Sequence, residues 1–246
     1  MSADKLPAAL LEQATDPYRP LGKFAWHFAR GKLGGDPVFA GLLRRGLIPA
    51  GARVLDIGCG QGLLAALLGS LSGDSSAERA WPPGWAPPPA GARVHGIELM
   101  PRDVERAQGA LAPLGDRARF TLGDMCSTDF GQADVVVILD VLHYVSHEAQ
   151  EDVLRRVRDA LTPGGALLLR VGDAAAGLPF RISNWVDAIV TFARGHRLSR
   201  LYCRPLSQWQ EQLQALGFSV QAIPMHEGTP FANILLVARR PDGATS

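Results

Sequence analysis

The stretch Val54-Leu-Asp-Ile-Gly-Cys-Gly-Gln-Gly62 decides the fold, because it joins an apolar run to an apolar helix through closely spaced glycines. The run Arg53 to Ile57 predicts a strand, and Leu63 to Leu71 predicts a helix. Glycines allow a sharp turn and a close approach of the backbone to a ligand, and the helix start presents unpaired N–H groups. The stretch therefore predicts a strand, a tight turn and a helix that bind a small ligand.

Two other interpretations of these glycines were weighed. A dinucleotide site requires G-x-G-x-x-G, and Gly58 and Gly60 match its first two glycines, but Leu63 occupies the third place. A short-chain dehydrogenase would also carry Tyr-x-x-x-Lys, which none of the 3 tyrosines begins. Hydride transfer is therefore disfavoured, whereas a tight turn without a ligand stays open on the glycines alone.

Composition points to an ordinary globular protein. The chain has 246 residues, of which 47% are hydrophobic and 20% charged, with 25 basic against 24 acidic side chains. The near balance of charge favours neither nucleic acid nor an anionic membrane over the chain as a whole. At this length we expect one domain over residues 1–246. The 3 scattered cysteines indicate a reducing compartment, and the start of the chain has no apolar stretch long enough for a signal peptide or a membrane span, so we expect a cytoplasmic protein.

Strands and helices alternate along the chain after the glycine turn. Val135 to Leu139 is apolar at every position, as expected for a central parallel strand covered on both faces. The pattern predicts an α/β fold with an open, mostly parallel, seven-stranded doubly wound sheet, whose ligands bind at the carboxyl ends of the strands. Further strands are predicted at Arg93–Leu99, Ala118–Leu122, Ala133–Leu139, Ala166–Val171, Phe218–Ile223 and Asn233–Arg239, and helices at Arg102–Leu114, Ser146–Leu161 and Ser207–Leu216.

Three segments fall outside this alternation. Residues 1–50 predict a helical cap, in which two helices break around Gly34 to Pro37, with Asp36 as the cap and Pro37 in the first turn of the second helix. Residues 72–92 are rich in proline, glycine and tryptophan and predict a long exposed loop. Residues 172–206 predict a lid or substrate segment after the fifth strand, with a helix from Ser183 to Ala193.

From Arg53 to Val171 the sequence resembles the class I, Rossmann-like methyltransferases that use S-adenosylmethionine. Val54 to Gly62 resembles the first motif of that family, which wraps the methionine moiety. Val94 to Glu98 resembles the second, whose acid binds the ribose hydroxyls. Gly123-Asp124-Met125 resembles the third, whose acid accepts the adenine amino group. The stretch Ala133 to Tyr144 and the turn Leu161 to Gly165 resemble the fourth motif and the turn before the fifth strand.

The resemblance implies S-adenosylmethionine as the cofactor and S-adenosylhomocysteine as the product. For Glu98 a solvated carboxylate at a strand end, and for Asp124 a simple turn cap, stay as alternatives. The residues implied in cofactor binding are Asp56, Gly58, Cys59, Gly60, Gly62, Glu98, Leu99, Asp124, Met125 and Leu139.

Three residues are candidates for the transfer step. Methyl transfer from a sulfonium is an in-line displacement, so a base is required only where the acceptor keeps its proton. His143 follows the fourth strand and has a side chain that titrates near neutral pH, so it is the first candidate, although packing is the alternative. Tyr144 and, in the N-terminal segment, His27 are further candidates.

Two special chemistries are disfavoured. Some relatives hold a divalent metal with one Asp after strand four and an Asp-Asn pair after strand five. Asp140 and Asp173 match the aspartates, but Ala174 stands in place of the Asn, so we expect no metal. Adenine-DNA methylation calls for Pro-Pro-aromatic after the first Asp or Asn, whereas this chain has Asp140-Val-Leu-His, so we expect no nucleic-acid substrate.

Aromatic residues in the segments flanking the core suggest walls for an aromatic or apolar acceptor, with lid core as the alternative. They are Phe24, Trp26, Phe28, Phe180, Trp185 and Phe192. A basic run nearby would meet an anionic acceptor or an acidic carrier protein, or form a solvated helix end. It comprises Arg194, His196, Arg197, Arg200 and Arg204.

The segment Asp16 to Leu71 also resembles methyltransferases of bacterial aryl-polyene pigment pathways. That resemblance implies methylation of a phenolic head group, free or on an acyl carrier protein. We predict O-methylation of an aromatic hydroxyl or a lipid-like compound by a monomer or homodimer. C-methylation of a phenolic or carrier-bound intermediate and a non-catalytic scaffold with the same fold are the alternatives.

Overall fold

The computed structural model of the chain describes residues 5–71, 81–172, 201–225 and 233–243. Two compact units divide the chain, Met1–Val137 and Ile138–Ser246, and they are described in turn. None of the helices within the described ranges is long and apolar enough to cross a membrane.

The first unit begins with three helices. They are α1 (Ala8–Thr15), α2 (Lys23–Gly35) and α3 (Pro37–Arg44), with a 3-10 helix, Asp16–Leu21, between α1 and α2. The predicted break between α2 and α3 is confirmed, because Asp36 caps α3 by accepting from the Val38 N–H at 3.1 Å and Pro37 occupies its first turn. The sequence pattern did not predict α1 or the 3-10 helix.

The remainder of the first unit alternates strands and helices. In chain order they are β1 (Arg53–Ile57), α4 (Leu63–Gly69), β2 (Arg93–Glu98), α5 (Pro101–Leu111), a 3-10 helix (Ala112–Arg117), β3 (Ala118–Leu122) and β4 (Ala133–Leu139), whose last two residues belong to the second unit. The predicted bounds of β1, β3 and β4 are confirmed. β1 pairs with β2 and β2 with β3, both in parallel.

The second unit contains α6 (His147–Ala160), β5 (Leu161–Gly172), α7 (Leu206–Ala215), β6 (Ser219–Pro224) and β7 (Asn233–Arg239), preceded by a 3-10 turn, Leu142–Tyr144. Ser146 caps α6 as predicted, accepting from the Ala149 N–H at 3.3 Å. The sheet has seven strands in the order β3-β2-β1-β4-β5-β7-β6. Only β7 is shown antiparallel to its neighbours, β5 and β6, so the predicted open, mostly parallel fold is confirmed.

β5 begins earlier than predicted, at Leu161 rather than Ala166. The expected turn from Leu161 to Gly165 is held in an extended course by Arg240, whose N–H donates to the Gly165 carbonyl at 2.8 Å and whose guanidinium donates to the carbonyls of Arg158 and Leu161. Gly164 still has a left-handed φ of +74° within this stretch. The contacts of Arg240 thus fix residues around a glycine that keeps a turn-like φ, and the pairing of β5 with β7 begins only at Ala166.

The proline-rich segment is only partly as predicted. Residues 72–80 lie outside the described ranges. From residue 81 onward the loop packs on the rest of its unit: Trp81 and Trp85 meet edge to face at 5.4 Å, and the Ala86 N–H donates to the Arg44 carbonyl at 3.0 Å. This part is a loop as predicted, but it is exposed only in places, because both tryptophans are half-buried.

Most of the predicted lid cannot be compared with the structure. Residues 173–200 lie outside the described ranges, and with them the predicted helix Ser183 to Ala193. The same holds for Asp173 and Ala174, for the aromatic residues Phe180, Trp185 and Phe192, and for the basic residues Arg194, His196, Arg197 and Arg200.

Candidate functional site

The glycine turn after β1 has the strained backbone that only glycine adopts readily. Gly58, Gly60 and Gly62 have φ values of +75°, +55° and +76°. A Cβ on Gly62 would lie 2.9 Å from the ring of Phe120, whereas a Cβ on Gly60 would meet nothing within 4 Å. Gly62 is therefore required by packing, and Gly60 borders open space that a ligand can enter.

Glu98 ties this turn to the end of β2. Its Oε2 accepts from the Gly60 N–H and its Oε1 from the Met100 N–H, each at 2.9 Å. The side chain is buried, so the alternative of a solvated carboxylate is wrong. Each carboxylate oxygen has a second lone pair, so Glu98 can accept from two vicinal hydroxyls while it keeps both backbone contacts.

Asp56 lies within β1, one strand residue before the turn, and is buried. Burial raises the pKa of this carboxyl to about 7, and the negative charge of Glu98 adds to the shift. A cationic group beside Asp56 would favour its ionised form. The sulfonium and ammonium groups of S-adenosylmethionine are both cationic, so Asp56 fits the role predicted for it.

The Cys59 thiol packs into the sheet instead of facing a ligand. A Cβ on Gly96 of β2 would lie 2.6 Å from the Cys59 Sγ, so the glycine at position 96 makes room for it. Burial, followed by the nearby carboxylates of Asp56 and Glu98, raises the pKa of the thiol. Any contact of Cys59 with the cofactor would thus be made by its backbone.

Exposed apolar side chains flank the buried Glu98. Leu99 directly follows Glu98 and is 58% exposed. Leu122 on β3 is the register partner of Glu98 and is 55% exposed. Met125 is half-buried close by in sequence. A flat aromatic base could cover these apolar surfaces. Leu122 was missed in the sequence, although an apolar residue at the carboxyl end of a strand beside an acid is a usable signal.

Asp124 is exposed, and its Oδ1 accepts from the Cys126 N–H at 2.8 Å. The turn-cap alternative is therefore confirmed as one role of this side chain. A carboxylate accepts more than one hydrogen bond, so the cap is compatible with an additional contact to an amino group. The adenine contact of Asp124 stays a prediction.

Tyr18 is a residue that sequence reasoning did not assign to the site. It lies in the 3-10 helix before α2, is fully buried, and donates its hydroxyl to the Gln61 carbonyl at 2.7 Å. Burial raises the pKa of the phenol far above its usual range. The bond joins the N-terminal helices to the glycine turn across a separation of 43 residues, which no local pattern encodes.

The exposed part of α2 carries His27 and the aromatic candidates. His27 is exposed and its ring lies 4.6 Å from that of Trp26. Phe24 is 63% exposed and stacks on Phe28 at 6.2 Å. The lid-core alternative is wrong for Phe24, because this side chain is not buried. A catalytic role for His27 stays a prediction.

In the second unit, Asp140 follows β4 and is bound by an arginine of β5. Among the described residues, Asp140 alone is a non-glycine with positive φ, +58°. Arg170 is buried, and its Nε donates to the Asp140 Oδ1 at 2.9 Å while its Nη2 donates to Oδ2. This ion pair explains why an arginine interrupts an apolar strand, and it occupies the carboxylate that a metal site after β4 would use.

His143 and Tyr144 lie in the 3-10 turn after Asp140, with ring centroids 4.3 Å apart. The turn is fixed from behind, because Gln150 Nε2 donates to the carbonyls of Leu142 and Val145 at 3.2 and 3.1 Å. Burial lowers the pKa of His143, and the charge of Asp140 partly opposes the shift. Burial therefore favours the neutral imidazole, which is the form that can accept a proton.

Arg204 does not belong to an exposed basic run. It is buried, and donates from Nε to the Gln150 Oε1 at 2.8 Å and from Nη2 to the Glu151 Oε1 at 3.0 Å. Tyr202 also contacts the turn, because its backbone N–H donates to the His143 carbonyl at 2.9 Å. Segment 201–205 thus supports the His143 turn, and the solvated-helix alternative is wrong for Arg204.

The structure thus brings the predicted residues together in two groups. In the first unit, Asp56, Gly60 and Glu98 surround the glycine turn, with Leu99 at its rim. In the second unit, His143 and Tyr144 share one turn, and Leu139 is half-buried at the end of β4. The first group can bind a cofactor with cationic and hydroxyl groups, and the second offers a neutral base.

Comparison with known proteins places the residues of the first group within a methyltransferase domain. Residues 55–167 match a family model described as a methyltransferase domain. Over 126 residues the chain is 30% identical to the ubiquinone biosynthesis O-methyltransferase of Xanthomonas axonopodis pv. citri, covering 50% of this chain and 44% of that protein. Over 91 residues it is 39% identical to the tetracenomycin polyketide synthesis 8-O-methyl transferase TcmO of Streptomyces glaucescens, covering 36% and 27%. The chain thus spans less than half the length of these curated relatives.

A solved structure shows the same fold with a product bound. Magnesium protoporphyrin IX methyltransferase (ChlM) from Synechocystis PCC 6803, crystallised with S-adenosylhomocysteine, aligns with a TM-score of 0.56 at 22% identity, covering 94% of this chain and 97% of that one. The matched residues 55–167 include the glycine turn, Glu98 and His143. Residues 55–167 therefore match a methyltransferase domain, and the fold around them is that of the class I, Rossmann-like methyltransferases that use S-adenosylmethionine.

Proposed function

We propose that this chain transfers the methyl group of S-adenosylmethionine to a hydroxyl oxygen of a small aromatic or lipid-like acceptor. The observation that carries the proposal is the position of His143, a buried imidazole on the 3-10 turn that follows β4 and is held in place by Gln150. A hydroxyl acceptor keeps its proton until transfer, so it is the class of acceptor that gains most from such a base. Both curated relatives above are named O-methyltransferases.

The cofactor residues of the first unit fit S-adenosylmethionine. When bound, this cofactor supplies an electrophilic methyl group on a sulfonium. Asp56 would bind a cationic group and Glu98 the ribose hydroxyls, while the open space at Gly60 would admit the ligand. Leu99 and Met125 would pack on the adenine, and Asp124 would accept from its amino group.

The chain's part in the transfer is to orient the acceptor and take its proton. As the acceptor oxygen forms its bond to the methyl carbon, the carbon–sulfur bond breaks and the acceptor proton passes to His143. Tyr144 beside it would position the acceptor through its ring or hydroxyl. We also propose a cytoplasmic monomer or homodimer, and an acceptor that is either free or attached to an acyl carrier protein.

The acceptor class is tested by incubating the full chain with deuteriomethyl-labelled S-adenosylmethionine and a series of phenols that differ in the length of an alkyl substituent. Mass spectrometry then detects one added methyl group, and NMR of the product distinguishes a methoxy from a C-methyl signal. We expect a methoxy product, lost in Gly60→Arg. A C-methyl product would replace the proposal by the alternative. Cofactor binding without any labelled product from phenols or cell extract would favour a scaffold.

A further inference from the structure

The N-terminal helix α2 buries mostly small side chains and leaves large aromatic ones at the surface, the reverse of an ordinary surface helix. Its buried residues are Ala25, Ala29 and Leu33, which are mostly small. Its large aromatic side chains lie on the outer half, with Phe24 63% exposed and Trp26 and Phe28 half-buried. An amphipathic helix in water normally buries its largest apolar side chains and exposes polar ones. The outer surface of α2 thus presents apolar area beyond what its own packing uses.

The exposed Leu21 and Phe24 and the half-buried Phe28 form one line, which we call the aromatic stripe. Leu21 is 38% exposed and reaches α5, where a Cβ on Gly109 would lie 3.3 Å from its side chain. Phe24 stacks on Phe28 with an interplanar angle of 17°. The stripe therefore runs along the α2 side of α5 within the first unit.

Cations border the aromatic stripe. The guanidinium of Arg106 lies 5.1 Å from the centre of the Phe24 ring, and those of Arg19 and Arg30 lie 4.5 and 5.8 Å from the Trp26 ring. Lys23 and Arg102 are exposed beside them. Residues 16–36 and 101–111 together carry six cations against four carboxylates, although the whole chain is almost neutral. Asp16 binds Arg19 and Asp103 binds Arg106, and Glu105 is an exposed acid on α5.

We propose that the aromatic stripe and its cations dock the protein on an anionic lipid bilayer. Helices that lie at a membrane surface combine Phe, Trp or Leu on one face with Lys and Arg at its border, which places the rings among the acyl chains and the cations among the headgroups. A stable protein partner commonly contacts 20–30 residues of each surface, far more than three apolar side chains provide. The lipid surface is thus the occupant that fits the size and charge of the patch.

Flotation of the full chain with phospholipid vesicles tests this docking without cofactor or acceptor, so its result is separate from the methyltransferase proposal. We expect binding to vesicles of phosphatidylcholine mixed with phosphatidylglycerol, weaker binding to phosphatidylcholine alone, and release as salt is raised. Phe24→Ser should weaken binding about tenfold, because one inserted ring is lost. Phe24→Trp should retain binding.

Charge is tested by Lys23→Gln with Arg102→Gln, which should weaken binding to the anionic vesicles about tenfold or more. Arg155→Gln is the matched control, because it removes an exposed arginine of α6 outside the patch, and binding should stay unchanged. Circular dichroism confirms that each variant is folded. No flotation with anionic vesicles, or equal flotation of Phe24→Ser, would overturn the proposal. Phe24-dependent binding to an acidic carrier protein in the absence of vesicle binding would replace it by a protein partner.

Discussion

The carboxyl group of Asp56, in the candidate cofactor site, titrates near neutral pH. The pKa of this carboxyl is about 7 because it is buried and lies near Glu98. Below pH 7 the ligand-free protein holds a proton on Asp56, and a cationic ligand must displace it. We therefore expect the affinity for S-adenosylmethionine to fall about tenfold for each pH unit below 7, and to level off above it. Isothermal titration from pH 5.5 to 8.5 measures this, and a flat profile would contradict it.

The same pKa has a consequence for stability. The folded state binds the Asp56 proton more tightly than the unfolded state, in which the pKa is 3.8. The free energy of unfolding therefore falls as pH rises from about 4 to 7. Asp56→Asn should make the ligand-free protein more stable at pH 8, by up to about 4 kcal/mol, and leave its stability unchanged at pH 4. The variant should also bind the cofactor poorly. Urea unfolding at pH 4 and pH 8 checks the stability prediction. A difference between variant and wild type that is equal at both pH values would contradict the raised pKa of Asp56.

His143 is predicted to act on the acceptor and leave cofactor binding unaffected. His143→Ala should lower turnover about 100- to 1000-fold, with the cofactor dissociation constant within about twofold of wild type. Because burial lowers the pKa of His143, the acidic limb of kcat should lie below pH 6.5. His143→Gln keeps much of the side-chain volume and serves as the packing control. Full turnover in either variant would reduce His143 to a packing role.

At the scale of elements, the ends of β4 and β5 are joined by the ion pair of Asp140 and Arg170, which precedes the His143 turn. Arg170 is buried but its partner Asp140 is 28% exposed, so removing Arg170 leaves a partly buried carboxylate without this cation. Arg170→Met should therefore cost ~1–3 kcal/mol of unfolding free energy, and adding Asp140→Asn should restore part of it, since Asn tolerates the positive φ at this position.

Arg53→Met is a matched control for that measurement. Its ion pair with Asp134 has the same chemistry at 2.9 Å, but the two side chains are 48% and 35% exposed. An exposed pair contributes about 0–1 kcal/mol, so this variant should unfold almost like wild type. Equal losses in Arg170→Met and Arg53→Met would show that burial of the Arg170 pair carries no special weight.

The elements that sequence predicted well are those whose signals are local. The bounds of β1, β3, β4 and β7 follow from apolar runs, and the starts of α3 and α6 follow from the caps Asp36 and Ser146. The features that it missed depend on contacts distant in sequence. Arg240 donates to carbonyls on both sides of the expected turn before β5, and the Ala86 N–H fixes the proline-rich loop to the Arg44 carbonyl of α3.

The same distinction applies to the site. The glycine turn and the acids Glu98 and Asp124 were found because each resembles a known motif at the end of a predicted strand, although the offset from the turn to Glu98 is longer than usual. The support of the site was not found: Tyr18 binds Gln61 across 43 residues, and Gln150 and Arg204 are 54 residues apart. A polar side chain that fixes a loop from a distance has no periodicity, so only the folded structure identifies it.

At the scale of the whole molecule, the glycine turn links the fold to the cofactor. The seven-stranded sheet positions β1 and β2 in parallel register, and Glu98 of β2 accepts from the Gly60 N–H. The matched methyltransferase domain includes the end of β1, the glycine turn and all of β2. The glycine turn thus accounts for the cofactor and leaves the acceptor to the His143 turn and the N-terminal helices.

Calorimetric titration of the full chain with S-adenosylhomocysteine tests that link most directly. Wild type should give saturable heat at one site, and Gly60→Arg should give none, because its side chain would fill the open space at the turn. Gly115→Arg is the matched control: Gly115 has the same φ of +55° and equal open space but lies in the 3-10 helix before β3, so binding should persist. No heat with wild type, or undiminished binding by Gly60→Arg, would contradict the assignment of the cofactor to the glycine turn.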